Sequence, residues 1–273
     1  MSELINGNWL QTMEGSLDNI ETYTLATANA LGASTGAATQ VNKFGFNTDI
    51  DVASQEVIAS FGGAFDPSTA VMSTAQTLTI TYNNTTDGFG QLGATLLQIT
   101  YIDENFEQQS AIHVMDSDGS DISSFTCFGV NRAVVIAIGG STSNVNDITL
   151  TATTDGTIQA QIPAGKSVTQ QAIYHTPINR TLNLNFINLS VLKVSGGGGS
   201  PVVNIIGYSY SRVTGGRYAV IDLEVDTSVE NNLVINYSEP IVFTGREVIY
   251  FEASTDVNNT KVSLRFSGTE IDS

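Results

Sequence analysis

The chain has 273 residues, of which only 14% are charged, yet Asp and Glu outnumber Lys and Arg by 27 to 10, for a formal net charge of -17. That balance excludes the clustered cations that release counterions from nucleic acid or meet an anionic membrane face. The length suits one large all-β unit or two smaller ones and builds a core without metals or disulfides, and the single Cys127, in the apolar-leaning run FTCFGV, reads as a buried inert thiol rather than a nucleophile.

Residues 1–40 read as a polar N-terminal arm. MSELINGNWLQTMEGSLDNIETYTL lacks a basic segment followed by an apolar one, and no apolar run in the chain reaches about 18 residues, so neither a cleaved export signal nor a spanning helix is expected. LATANALGASTGAA carries weak helix signals broken by Gly32 and Gly36, which leaves a short helix and an extended arm equally open. Trp9 and Leu10 are the expected anchors of this arm on another surface.

NKFGFNTDID (42–51) has neither a helix period nor a long alternation. Two readings stay open. In one it is an irregular connector, with Asn42, Phe44, Phe46 and Asn47 holding the chain to its own sheets or to a neighbouring subunit while FGGAF passes close to another chain. In the other it is an ordinary first strand and loop.

From Thr77 the pattern changes to period two. TLTITY, TLLQITYI, QQSAIHVM, AVVIAIGG, NDITLTAT and GTIQAQI are runs of strand length, separated by NNTTDG, DENFE, DSDGSD, GSTSN and TDG, whose Asn, Asp and Gly suit tight turns. Strands at a spacing of roughly 10 to 15 residues, with no amphipathic helix between them, predict an antiparallel sandwich, assigned to residues 41–163. A second sandwich is assigned to residues 164–273. In TLNLNFINLSVLKV the apolar parity switches from Leu182, Leu184 and Phe186 to Ile187, Leu189 and Val191, which predicts a β-bulge near Phe186. SGGGGSP (195–201) reads as a hairpin loop between the first strands of this half. The expected fold is thus all-β, with two antiparallel, jelly-roll-like β-sandwich domains behind an arm, and a surface rich in Ser, Thr, Asn and Gln that suits extracellular or virion-exposed proteins.

The chemical motifs are weak. AQIPAGKS (160–167) has the letters of a phosphate loop but is followed by VTQQAIY, which alternates like a strand where that mechanism needs a helix. DSDGSD places Asp116, Asp118 and Asp121 near a glycine and makes them weak calcium candidates, since that ion takes roughly six to eight oxygen ligands. The EF-hand spacing is not completed, because Cys127 stands where its bidentate Glu belongs, and Asp-Gly is equally a turn signal. His113 and His175 sit in or beside strand runs, outside any catalytic spacing, and are expected to be structural. No catalytic residue, cofactor or resident metal is expected.

VNKFGFNTDIDVASQEVIASFGGAF (41–65), NRAVVIAIGG (131–140), NVNDITL, IQAQIPAGKSVTQQAIYHTP (158–177), EPIVF and KVSLRFSGTEID resemble, in that order, a family of tailed-phage virion structural proteins with an NKFGRNPDID-like segment. Phe46 and Thr48 stand where that family has Arg and Pro, Ser60 falls near its missing Trp, and His175 with Thr176 occupies a Thr-Val slot. The resemblance implies no enzyme activity. It implies a capsid decoration or cement protein, located in the virion after assembly in the host cytoplasm, with the major capsid protein or other virion proteins as partners. A homotrimer is expected by analogy with symmetric assemblies. The alternative is a tail or fibre component whose loops, with Phe89 or Phe106, bind host surface glycan. Neither nucleic acid nor membrane is an expected partner.

Overall fold

A computed structural model describes residues 38–52, 54–63, 65, 67–193 and 199–273. The described chain is all-β apart from one four-residue helical turn, α1 (Pro67–Ala70). In order the strands are β1 (Thr39–Ile50), β2 (Glu56–Val57), β3 (Leu78–Thr81), β4 (Ala94–Ile102), β5 (Gln108–Val114), β6 (Ser120–Ile122), β7 (Gly129–Ile138), β8 (Ile148–Ala152) and β9 (Ile158–Ile162). They continue with β10 (Ile173–His175), β11 (Arg180–Lys193), β12 (Val202–Ser211), β13 (Arg217–Asp226), β14 (Asn232–Phe243), β15 (Glu247–Thr255) and β16 (Thr260–Asp272). No described helix is long and apolar enough to cross a membrane.

The strands form antiparallel sheets of order β1-β16-β11-β14, β10-β15-β12-β13 with β2 beside β15, β6-β3-β8-β9, and β5-β4-β7. Alternation explains how they pair off into cores, because successive side chains leave a strand on opposite faces. Leu182, Leu189, Val262, Leu264 and Phe266 of the first sheet share one buried cluster with Val203, Ile205, Ile249 and Phe251 of the second. Leu78, Ile80, Ile148 and Leu150 of the third share another with Leu97, Ile99, Val130 and Ala133 of the fourth. The expected bulge is present: the pairing of β11 with both β14 and β16 shifts between Leu184 and Phe186, and Leu184 and Ile187 are both buried on either side of it.

Partner choice departs from the linear reading. The boundary expected at residue 41 does not divide the sheets, since β1 pairs with β16 and β2 with β15. Residues 39–57 therefore belong with the C-terminal strands, and β3 to β9 form the other two sheets. SGGGGSP, of which residues 195–198 lie outside the described residues, does not close the expected hairpin: β11 and β12 on either side of it lie in different sheets and do not pair with each other, though they share one core. The same holds for DSDGSD, which turns with Gly119 at φ 86 but connects β5 in one sheet to β6 in another. After β9 the segment around Gly165 (φ 74) turns into an extended stretch that bridges Val168 to Val134, with none of the helix a phosphate loop requires.

Polar side chains tie the two groups of sheets together. Asn131 of β7 donates to the carbonyl of His175 at 3.0 Å and accepts its N–H at 2.8 Å. Arg212 donates to the carbonyls of Met72 (2.7 Å) and Phe128, and Lys43 of β1 donates to the carbonyl of Asn131.

Candidate protein interface

NKFGFNTDID is a regular strand with inverted polarity. Along β1 the side chains of Lys43 and Asn47 point inward, while Asn42 and Phe44 are exposed and Phe46 is half-buried. Gly45 lies between the inward pair because β1 runs against other backbone at that point: a Cβ there would sit 2.1 Å from the Ile58 carbonyl oxygen and 2.4 Å from the Ala172 nitrogen. Asn47 is locked by donating to the Val57 carbonyl (3.1 Å) and Glu56 Oε2 (3.3 Å) while accepting the Asp49 N–H (2.9 Å). Glu56 also accepts from the N–H groups of Asp51 and Gly63 and from the Ser54 hydroxyl. Of the expected interface residues, Asn42, Phe44 and Phe46 share the outer face of an edge strand, whereas Asn47 is removed from any surface role. Trp9 and Leu10 lie outside the described residues.

A larger candidate surface was missed in the sequence. The sheet β5-β4-β7 carries apolar side chains on both faces, although one end of its outer face is polar, with Thr100 between Ser110 and Arg132. Its inner row, Leu97 and Ile99 with Ala111, Ala133 and Val135, enters the core. Its outer row aligns Leu96 with Val114 and sets Gln98 between Ile112 and Val134, and the pairing of β4 with β7 slips beside Leu96 so that Ile136 also stands outward. Directly opposed residues in antiparallel strands approach to roughly 4.5–5.5 Å between Cβ atoms, so these side chains form one patch. Ile112 is 64% exposed and Val114 58%, and Ile136 and Ile138 are also open to solvent, as are Phe89 and Leu92 on the loop leading into β4. The signal was present in AVVIAIGG, which lacks polar residues on either parity, and in AIHVM, where only His113 interrupts the apolar run, a pattern of strands covered on both sides. Monomeric proteins rarely leave an apolar patch larger than a few hundred Å² uncovered.

The remaining candidates carry structural contacts. Tyr82 Oη donates to Asp121 Oδ2 (2.7 Å) and Asp116 Oδ1 (3.0 Å), Asp116 Oδ1 also accepts the Asp118 N–H (2.7 Å), and His113 Nε2 lies 3.3 Å from Asp121. The Asp118 N–H and the Asp121 contact hold the Asp116 carboxyl below its ordinary value, while burial and the two carboxylates push the Tyr82 phenol far up. No group of three or more His, Cys, Asp or Glu able to hold a metal occurs among the described residues. His175 is buried, and its Nδ1 lies 3.2 Å from Arg212 Nη2. A guanidinium only donates, so Nδ1 accepts and the ring is neutral; burial, Arg212 and Lys43 hold it well below the usual histidine value. Burial raises the free Cys127 thiol to about 12. Phe106 is stacked on Phe128 at 4.3 Å, with the Arg246 guanidinium 4.5 Å from its ring centre.

The fold and surface define a class: an all-β protein of several antiparallel sheets with an apolar sheet face open to solvent. No family model matches the chain, and no curated protein matches it. Among solved structures, T=1 particles derived from infectious bursal virus match at 12% identity over 91% of this chain and 75% of that one, with a TM-score of 0.19. The Gx strain of infectious bursal disease virus matches at 10% identity over 86% and 76%, with a TM-score of 0.20. These neighbours come from viral particles, and at such scores the likeness carries no argument.

Proposed function

We propose that this chain is a structural virion protein of a tailed bacteriophage, a capsid decoration or cement protein that stabilises the shell by binding the major capsid protein or other virion proteins. The observation that carries this reading is the uncovered aliphatic row on β5-β4-β7, centred on Ile112, Val114 and Ile136, together with the ordered series of segments resembling the phage family. In this reading each pair of sheets with a common core is a jelly-roll-like β-sandwich, one from residues 78–162 and the other from 39–57 with 173–272. The stiff pair bridges neighbouring subunits, without catalysis and without a cofactor. Many modest apolar contacts multiplied by lattice valency supply the affinity, and a closed trimer presents the same face several times over.

The second reading, a tail or fibre component binding glycan, keeps one supporting observation. Phe89 is 71% exposed and free to stack on a sugar ring. Quantitative mass spectrometry of particles carrying the chain separates the two: hundreds of copies supports decoration, a few dozen or fewer supports the tail. Ile112→Asp is expected to abolish incorporation while the purified variant stays folded. Incorporation at full occupancy would overturn the interface, and substrate turnover by the purified protein would overturn the non-enzymatic role.

A further inference from the structure

A strand at the edge of a sheet presents unpaired main-chain groups, and proteins blunt such edges with charge, proline, bulges or short length. Several edges here are blunted in these ways. β13 turns Asp222 and Glu224 to solvent, β14 is exposed at Glu239 and Pro240 and breaks register against β11, and β6 and β10 have 3 residues each. β5 has none of these devices. Its sequence, QQSAIHV, contains no Asp, Glu, Lys, Arg or Pro, and its ladder with β4 runs from Leu96 opposite Val114 to Ile102 opposite Gln108 without a shift.

The bonds that bracket this ladder fix which groups face outward. Met115 donates its N–H to the Thr95 carbonyl at 3.0 Å, and Asp103 donates to the Glu107 carbonyl at 2.9 Å. Opposed residues of antiparallel strands alternate between bonded and unbonded pairs, so Gln109, Ala111 and His113 direct their main-chain groups to β4. The N–H and C=O of Gln108, Ser110, Ile112 and Val114 therefore point away from it, and none has a partner among the described residues. The opposite edge of the sheet is closed. Beside β7, Val135 donates to the Ser167 carbonyl at 2.8 Å and Thr169 to the Ala133 carbonyl at 3.0 Å. Copies of the chain cannot stack β5 on β7 head to tail, which leaves β5 on β5.

We propose that β5 is a dimerisation edge, pairing antiparallel with β5 of a second copy about a two-fold axis at Ala111. That register sets Gln108 opposite the partner's Val114 and Ser110 opposite the partner's Ile112, so every outward N–H and C=O meets its complement. The contact is isologous, and it occupies both edges without growing into a fibre. Charge selects the occupant. An edge built for a basic segment would carry acidic side chains, whereas pairing with another copy of net charge -17 requires that the seam carry none. The apolar rows of the two copies then lie on one side of a continuous sheet. The pairing is a property of the purified chain, compatible with a trimer closed through other surfaces, and does not depend on what that row docks against.

The test uses the full-length purified protein. Sedimentation equilibrium should show the mass doubling as concentration rises, and amide exchange at Ser110 and Ile112 should slow in step, while Ala111 and His113, bonded to β4 in either state, stay protected throughout. Ser110→Pro removes an outward N–H from an edge strand and no bond from β4, so the variant folds and is expected to pair at least about tenfold more weakly. Ile136→Asp, which disrupts the docking row away from the edge, should lower incorporation into particles and leave pairing intact, so the two proposals fail separately. Ala111→Cys should form an intersubunit disulfide on mild oxidation, because residues opposed at the axis lie roughly 4.5 Å apart between Cα atoms, whereas Gln109→Cys should not. A mass that never doubles, equal cross-linking at the two positions, or loss of pairing in Ile136→Asp would overturn the edge. So would protection of Ser110 and Ile112 in the unpaired species, which means another part of the same chain covers β5.

Discussion

Lys43, on an edge strand of one group of sheets, donates its side-chain nitrogen to the backbone carbonyl of Asn131 in the other. Asn131 in turn exchanges two hydrogen bonds with the backbone of His175. The junction is therefore built from side chains that hold main-chain groups, and the amine at its centre is sheltered from water, which lowers Lys43 from 10.5 to about 7.

This makes stability depend on pH with a definite sign. Between about pH 7 and 10.5 the unfolded chain holds a proton on Lys43 that the folded chain lacks, so stability rises with pH, by up to about 1.4 kcal/mol per unit. His175, depressed in the folded state, works in the same direction below its ordinary 6.5. Cys127 opposes them, because its unfolded thiol ionises above 9.0 and its folded one does not. Melting temperature is expected to climb from about pH 6 to 8.5, and Lys43→Met to flatten the part above neutrality. An unchanged slope in that variant would show that Lys43 is not the group titrating.

Gly45 is required by space. Its missing Cβ would overlap backbone atoms of Ile58 and Ala172, which cannot rotate aside as a side-chain tip does. Gly45→Ala should cost about 3 kcal/mol in urea unfolding, where alanine in a strand otherwise favours folding over glycine. A loss below about 0.5 kcal/mol would mean that β1 moves freely against its neighbours.

The two faces of β5-β4-β7 should answer oppositely to the same change. Ile99→Asp buries an unpaired carboxylate in a fully enclosed position and is expected to cost more than about 4 kcal/mol. Ile136→Asp, on the outer row, should alter folding stability by less than about 0.5 kcal/mol and shorten retention on an apolar matrix. Comparable destabilisation by both would mean that the outer row is packed, removing the proposed interface.

Cys127 should resist alkylation. With its thiol raised to about 12 and no solvent exposure, iodoacetamide at pH 8 is expected to leave the native protein unlabelled and to label it fully in denaturant. Rapid native labelling would show that the second core opens readily.

The alternating segments after Thr77, the bulge beside Phe186 and the buried Cys127 were legible in the sequence, because each is a property of a short stretch. A strand's period states which side chains share a face, and a parity switch in TLNLNFINLSVLKV states where the face changes. Nothing local states which strand lies alongside. That β1 joins β16 more than 200 residues later, that β11 and β12 lie in different sheets, and that the outer row of β5-β4-β7 meets solvent were decided by the tertiary structure. The same distinction explains NKFGFN. Its inward Lys43, Gly45 and Asn47 look misplaced by hydropathy, and they fit only because that side of the strand meets another segment's backbone, where close approach and polar partners matter more than apolar area.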